Sequence, residues 1–304
     1  MTSKSGHTSG PTSDRHQPAV YAAAAFAVLV WAGTAIVTKF VVGRMDPLLV
    51  GVLRTVLAAL IVAPAAIALG LPLPIGARQW RLLAVTGIGG FVAFPIFFTL
   101  GLRYTSAAHT GLILATLPVF TGLFDAIADR RWPRGRWLAG ACVAMLGEAF
   151  LIASQAGFEG GSASNVMLGD ILVLAGAASA SLGYVCGARL SHNYSSWATT
   201  FWGISLAGLL ILPALWWVPP GAFGADTGAW LAVIYLALGS TILAYVAWYW
   251  ALSRGGISRI GLAQFLQPVL TGLLAALILG EVITLPLGLA AAVILVGIFI
   301  AQRR

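Results

Sequence analysis

The chain has 304 residues, of which 60% are hydrophobic and only 9% are charged. Ordinary soluble domains are about 45–50% apolar and about 25% charged, so this composition excludes a soluble protein and indicates a chain that lies in a lipid bilayer. The net charge of +8 does not indicate nucleic-acid binding, because the cations stand between apolar runs rather than along one helix face.

The first 18 residues are rich in Ser, Thr and Gly and predict a mobile tail in the cytoplasm. Ten apolar segments follow, and each has roughly the length needed to cross a hydrocarbon core. They cover residues 19–42, 47–69, 82–102, 107–128, 137–154, 169–190, 197–218, 230–252, 257–279 and 285–301. We therefore predict an all-α membrane protein with a tail (1–18), a first five-helix repeat (19–155) and a second five-helix repeat (156–304).

Pro118 and Pro268 stand in matching positions 150 residues apart, each about ten residues inside an apolar run. The same offset relates further identical pairs along both halves: Trp80 and Trp230, Gly89 and Gly239, and Gly147 and Gly297. A register that persists over a whole half indicates an ancestral duplication. Since proline removes a helix hydrogen bond and clashes with the preceding turn, both runs should be kinked or broken helices.

Five spans per half turn the second repeat upside down relative to the first. With the N-terminus inside, thirteen Lys and Arg residues face the cytoplasm, and only Lys39, Arg44 and Arg103 lie on the other side. This bias predicts that both termini are cytoplasmic. Compact loops and an Ala- and Arg-rich composition suggest a bacterial host, so we expect the inner membrane.

Several short motifs occur in a fixed order along the first half. They are Trp31-Ala32-Gly33, Leu53-Arg54, the turn Arg103-Tyr104-Thr105-Ser106-Ala107, and Leu117-Pro118-Val119-Phe120-Thr121 followed by a basic loop. With the ten spans and the repeat, the chain after the tail resembles the EamA-type branch of the drug/metabolite transporter superfamily. The resemblance implies an inverted-repeat carrier with a central cavity between the halves, often an exporter of amino acids or other metabolites, with its fifth and tenth helices peripheral.

The matched breaks at Pro118 and Pro268 are candidate hinges or gates of a transport site. Unwound backbone is tolerated in a membrane only where protein buries it or where it lines a wet cavity. Both prolines could instead be kinks that only help the helices pack.

Arg54 lies eight residues into the second predicted helix. A cation near the bilayer centre costs about 2.5–3.5 kcal/mol, so its side chain should face protein or water rather than lipid. It either binds a substrate carboxylate or pairs with an acid or a helix end to hold the bundle together.

A group of aromatic and amide residues falls deep in the predicted spans and forms the candidate substrate site. The aromatic members could equally be packing or lipid contacts, and the amides need hydrogen-bond partners at that depth, whether a helix or a substrate. The group is Trp31, Phe94, Tyr184, Tyr245, Trp248, Gln264 and Gln267.

Glu148 and Asp125 are the carboxyl groups that proton coupling would require. Asp125 lies near the cytoplasmic end of its helix and could simply pair with the arginines of the next loop. Neither residue has a counterpart in the other half.

No set of catalytic residues accompanies these features, and no phosphate-binding loop occurs. Cys142 and Cys186 both lie in apolar runs, so we predict no metal site, cofactor or enzyme activity. The expected function is export of small metabolites across the bilayer, first of all apolar or aromatic amino acids, by alternating access. The alternatives are a carrier of a drug-like cation, a purine or another metabolite, and a non-transporting membrane scaffold or sensor.

Overall fold

The computed structural model describes residues 17–42, 44–102, 104, 113–155, 163–218, 220–279 and 285–303. All regular secondary structure within these ranges is helical. The predicted tail lies outside the described residues, except that Gln17 and Pro18 already belong to the first helix.

The described residues of the first half form five helices. They are α1 (Gln17–Val42), α2 (Pro47–Ala68), α3 (77–102), α4 (Leu117–Ala128) and α5 (Gly135–Gln155). Asp46 caps α2 by accepting a hydrogen bond from the amide of Leu49, and Pro47 begins the helix where its missing N–H costs nothing. Residues 107–112 of the fourth predicted span lie outside the described part of the chain.

The second half contains α6 (Ala163–Asn193), α7 (Ser196–Ile211), α8 (Thr227–Gly255), α9 (257–279) and α10 (Leu285–Gln302). Helix α6 has 31 residues and is longer than the predicted span. Helix α7 is shorter than predicted, because the chain continues after Ile211 as a 3₁₀ helix, Leu212–Trp217, that contains Pro213. Proline cannot donate the next α-helical hydrogen bond, which explains this change.

Seven described helical segments are long and apolar enough to cross a membrane. The remaining predicted spans correspond to α4, which is described only over a shorter apolar helix, to α5, and to the interrupted helix α9. The ten-helix architecture predicted from the sequence is confirmed, with α4 described only in part and α9 interrupted.

Interruptions occur at matching places in the two halves. A π-helical segment, Ile88–Ala93, divides α3, and another, Leu236–Leu243, divides α8. Pro118 lies in the first turn of α4. Pro268 is the second residue of the last α-helical segment of α9, Gln267–Leu279, which follows a 3₁₀ stretch at Leu262–Leu266. The structure therefore confirms a helix break immediately before each proline.

Glycines set the closest helix contacts. A Cβ on Gly89 of α3 would lie 2.6 Å from the carbonyl oxygen of Ser179, and one on Gly183 of α6 would lie 2.9 Å from the amide of Gly90. Helices α5 and α10 pack equally closely through Gly140 and Gly297, away from the main core. The peripheral position of these two helices agrees with the family resemblance.

Candidate substrate site

The two π-helical segments form the framework of the candidate site. A π turn displaces backbone carbonyls from the regular helix ladder, and such turns occur frequently at functional sites. Side chains from other helices bind the carbonyls here. Trp31 Nε1 donates to the carbonyl of Ser240 at 3.0 Å, and Thr55 Oγ1 donates to that of Phe91 at 3.2 Å. These hydrogen bonds connect the π segment of α8 to α1 and the π segment of α3 to α2.

Four aromatic rings pack together beside these segments, and we call them the aromatic cluster: Trp31, Tyr184, Tyr245 and Trp248. The Trp31 ring centroid lies 5.9 Å from that of Tyr184, 5.2 Å from that of Tyr245 and 5.4 Å from that of Trp248. All four side chains are buried. The sequence placed these residues deep in their spans and left lipid contact open as an alternative, whereas the structure shows that they contact one another across α1, α6 and α8.

Arg54 lies next to the aromatic cluster. Its Nε donates to Thr241 Oγ1 at 3.1 Å and its Nη2 donates to Ser240 Oγ at 3.0 Å, so the guanidinium is held against the π segment of α8. Trp31 Nε1 donates to the carbonyl of the same Ser240, so one residue of the π segment contacts both the guanidinium and the aromatic cluster. Among the described residues, no carboxylate forms an ion pair with Arg54. A guanidinium has five N–H donors, and these two hydrogen bonds use two of them.

Gln264 places a second polar group in the same region. Its side chain is 5% exposed and contacts the Tyr184 hydroxyl, while its Oε1 has no hydrogen-bond partner within the described ranges. Buried acceptors are usually paired, so this oxygen is an exception that calls for a ligand or a water molecule.

The other two members of the predicted site are Phe94 and Gln267. Phe94 is partly buried, packs against the core that contains the aromatic cluster, and lies 5.5 Å from Phe98 between ring centroids. Gln267 is partly buried at the start of the last segment of α9, and its backbone carbonyl accepts a hydrogen bond from Thr271.

The helical segments that contain the two prolines form hydrogen bonds with helices of the opposite half. The carbonyl of Leu117, the residue before Pro118, accepts hydrogen bonds from Thr121 and from Ser181 of α6. In the second half, Thr271 donates to the carbonyl of Ala32 in α1 at 3.2 Å. Each broken helix is thus connected by a hydroxyl group to the first helix of the other repeat.

Charged side chains connect the two halves at the membrane face predicted to be cytoplasmic, and we call this group the ion cluster: Asp125, Asp129, Arg131 and Arg189. Arg189 Nη2 lies 3.0 Å from Asp125 Oδ1 and 2.6 Å from Asp129 Oδ1. Arg131 contacts both acids at 3.1 and 3.0 Å. The hydrogen bond from Arg189, followed by the charges of both arginines, lowers the pKa of Asp129 below its ordinary value. Asp125, a predicted proton carrier, is therefore paired with two arginines.

At the opposite face, one ion pair joins the halves among the residues that the structure describes. Arg44 Nε lies 3.1 Å from Asp226 Oδ2, and both side chains are largely exposed. An exposed pair of this kind contributes only about 0.2–1 kcal/mol. Within the described ranges, the ionic connection between the halves is stronger on the face of the ion cluster.

Glu148 lies outside the aromatic cluster. In the described part of the chain, helix α5 packs on α10 and touches α9 but makes no comparable contact with α1, α6 or α8. The Glu148 side chain is 6% exposed, and its Oε2 has no hydrogen-bond partner in the described part of the protein.

A sequence model of the EamA-like transporter family matches the chain twice, over residues 19–153 and 167–302. The chain belongs to this family. It is 30% identical over 256 residues to the uncharacterized transporter YdeK of Bacillus subtilis, covering 84% of this chain and 86% of that protein.

Two further relatives of this EamA protein carry more specific names. It is 26% identical to the aromatic amino acid exporter YddG of Ancylobacter novellus, over 82% of this chain and 84% of that one. It is 25% identical to a probable terminal-alkyne amino-acid exporter of Streptantibioticus cattleyicolor, over 83% and 82%. A solved crystal structure superposes with a TM-score of 0.79 at 24% identity, covering 94% of this chain and 96% of that one, which supports the fold alone.

These findings confirm the EamA resemblance and identify a multi-pass membrane transporter rather than an enzyme. Sequence reasoning missed several residues that form the site. It did not identify Ser240 and Thr241 as partners of Arg54, or Phe91, whose ring centroid lies 4.5 Å from that of Tyr245. The matched pair Gly89 and Gly239 was the available signal, because each belongs to a π segment.

Proposed function

We propose that this EamA transporter exports amino acids with apolar or aromatic side chains, which bind between Arg54 and the aromatic cluster. The observation that carries the proposal is a guanidinium without a described carboxylate partner beside four buried aromatic rings. The names of two relatives as amino-acid exporters support the substrate class and the direction.

Arg54 would bind the substrate carboxylate. Placing a cation deep in a membrane protein costs several kcal/mol, and a carboxylate that accepts two parallel N–H bonds offsets this cost. The Thr241 hydroxyl accepts a hydrogen bond from Nε, and the Ser240 hydroxyl accepts one from Nη2. These two bonds fix the plane of the guanidinium and leave its other N–H groups for the substrate.

The substrate ammonium has two partners of suitable chemistry. One is the unpartnered Oε1 of Gln264, which can accept a hydrogen bond. The other is the face of an aromatic ring, which attracts a cation by about 0.5–2 kcal/mol. The apolar side chain of the substrate would then pack among Trp31, Tyr184, Tyr245 and Trp248, with Phe94 and Gln267 at the edge.

Arg54 also argues against the alternative of a drug-like cation as substrate. A cationic substrate would require a nearby carboxylate, whereas the charged group described beside the aromatic cluster is itself positive. Repulsion between two like charges in a low-dielectric site costs several kcal/mol.

Transport would proceed by alternating access between the two repeats in the inner membrane, with both termini in the cytoplasm. The helix breaks before Pro118 and Pro268 serve as hinges, because the α-helical pattern is interrupted there and the segments that follow are hydrogen-bonded to the opposite half. Opening towards the face of the ion cluster requires Arg189 to separate from Asp125 and Asp129.

The test uses the purified full chain in liposomes and measures counterflow of labelled phenylalanine. Unlabelled phenylalanine should compete, whereas phenethylamine, which lacks the carboxylate, should compete at least tenfold more weakly, since a hydrogen bond to a charged group contributes about 1.5–3 kcal/mol. Arg54→Gln should abolish this discrimination, and Arg134→Gln, at an exposed position before α5, is the matched control. Equal competition by both compounds, or normal flux in a folded Arg54→Gln variant, would refute the proposal.

Proton coupling is tested in the same liposomes with an imposed pH gradient. If Glu148 carries the proton, Glu148→Gln should remove the response to the gradient but preserve counterflow. Flux that is independent of the gradient in the unmodified protein would exclude this role for both Glu148 and Asp125.

A further inference from the structure

A groove lies on the outer surface of the bundle between α1, α7 and α8, with a volume of about 290 Å³. Its walls include Ala23 and Phe26 from α1, Trp197 from α7, and Leu243, Ala247 and Trp250 from α8. These residues belong to membrane-spanning helices, and Phe26, Trp197 and Leu243 are exposed. The groove therefore faces lipid, and the aromatic cluster is on the inner side of α8.

A positive charge stands at one end of this groove. Leu243, Ala247, Trp250 and Arg254 follow one another at steps of four, three and four residues, so they lie on one face of α8. Arg254 is about 6 Å beyond Trp250 along the helix axis. It is exposed, and among the described residues no acid forms an ion pair with it.

The N-terminus of α7 also borders the groove, and the charge pattern of the sequence predicts that it lies on the same side of the membrane as Arg254. Ser195 caps this 16-residue helix by accepting a hydrogen bond from the amide of Ala198, but the amides of Ser196 and Trp197 have no acceptor within the helix. Ser196 lines the groove. Free amides and the helix dipole favour a negative charge at this point, in addition to Arg254.

We propose that the groove binds one acyl chain of an anionic phospholipid, whose phosphate contacts Arg254 and the start of α7. The apolar walls match the chain, and the two positive groups match the headgroup. The charge pattern of the sequence predicts that this end faces the cytoplasm, where anionic lipids make the leaflet surface negative.

A bound lipid would act directly on the helix that forms the substrate site. The outer face of the segment Ala244–Gly255 carries Ala247, Trp250 and Arg254, whereas its inner face carries Tyr245 and Trp248 of the aromatic cluster. Occupation of the groove holds this segment in the position described here. The lipid site does not depend on the identity of the transported substrate.

The experiment compares dioleoylphosphatidylglycerol, which is anionic, with dioleoylphosphatidylcholine, which is zwitterionic, on the purified full chain in detergent. Native mass spectrometry measures bound lipid, and intrinsic tryptophan fluorescence measures the midpoint of thermal unfolding. Phosphatidylglycerol should remain bound and raise the midpoint by a few degrees. Inorganic phosphate at the same concentration should have no effect, since it cannot use the apolar walls.

Variants locate the site. Arg254→Gln should weaken phosphatidylglycerol binding about tenfold, the ratio expected for loss of one charge-assisted hydrogen bond, and Arg134→Gln should bind as the unmodified protein does. Ala247→Phe should weaken binding of both lipids by filling the groove; if this variant fails to fold, the comparison between the two arginine variants decides. Equal binding of both lipids, an equal effect of free phosphate, or unchanged binding by Arg254→Gln would overturn the proposal.

Discussion

Replacing Arg189 by Gln should weaken the ionic connection between the two halves at the face of the ion cluster. Arg189 Nη2 lies 3.0 Å from the buried Asp125 carboxylate and 2.6 Å from the more exposed Asp129. A hydrogen bond between charged groups contributes about 1.5–3 kcal/mol when largely buried, whereas exposed pairs contribute about 0.2–1 kcal/mol. Because Arg131 still contacts both acids, we expect a total effect of about 2 kcal/mol, or roughly a 30-fold shift towards the state open at this face.

The native Cys186 provides the assay. It lies on α6 one turn before Arg189 and is partly buried, and Cys142, the other cysteine, can be replaced by Ser. A membrane-impermeant maleimide added at the face of the ion cluster should label Cys186 faster in Arg189→Gln than in the unmodified protein. The expected increase in rate is up to about 30-fold, the size of the population shift. Arg44→Gln, which breaks the exposed pair at the opposite face, should leave the rate nearly unchanged.

A double-mutant cycle tests whether the acid and the arginine act together. Asp125→Asn with Arg189→Gln should have a smaller effect than the sum of the two single substitutions, because both single substitutions remove the same Asp125–Arg189 ion pair. Unchanged labelling in both single variants, with the proteins folded, would show that the ion cluster does not control access and would refute the reasoning.

Pro118→Ala and Pro268→Ala, made separately, should each lower counterflow without loss of folded protein, as judged by gel filtration; normal rates in both would exclude the hinge role. Gly297→Val should reduce yield and thermal stability by destabilising the packing of α5 on α10, since even a Cβ at Gly297 would lie 2.4 Å from the amide of Ala144. Gly288→Val is its control, because a Cβ at Gly288 meets no atom within 4 Å. The pKa of Asp129 is lowered in the folded protein, so this carboxylate stabilises the fold above the ordinary pKa of an aspartate, about 3.9. The stabilisation is lost as the pH falls through the lower folded pKa. The thermal unfolding midpoint of Asp129→Asn should lack this acid-dependent loss, which is small because Asp129 is exposed.

Features that depend on local sequence were predicted well. Length and apolar composition identified the helices, since each span must satisfy its own backbone hydrogen bonds in lipid. Proline acts on the turn that precedes it, so the breaks before Pro118 and Pro268 followed from the residues themselves. The bilayer cost of a charge likewise predicted that Arg54 faces protein or water rather than lipid.

The partners of these residues depended on the tertiary structure. Arg54 and Thr241 are separated by 187 residues, and Trp31 and Ser240 by 209, so no periodicity within one helix relates them. The sequence identified Asp125 as an isolated carboxyl near the arginines of the following loop, and it did not indicate Arg189, which comes from the other repeat. The π-helical segments were missed because their sequences are compatible with an ordinary helix; they are stabilised by side chains from α1 and α2. The sequence by itself determined the fold and the membrane environment, whereas the arrangement of charge and aromatic rings in the site was decided by contacts between distant helices.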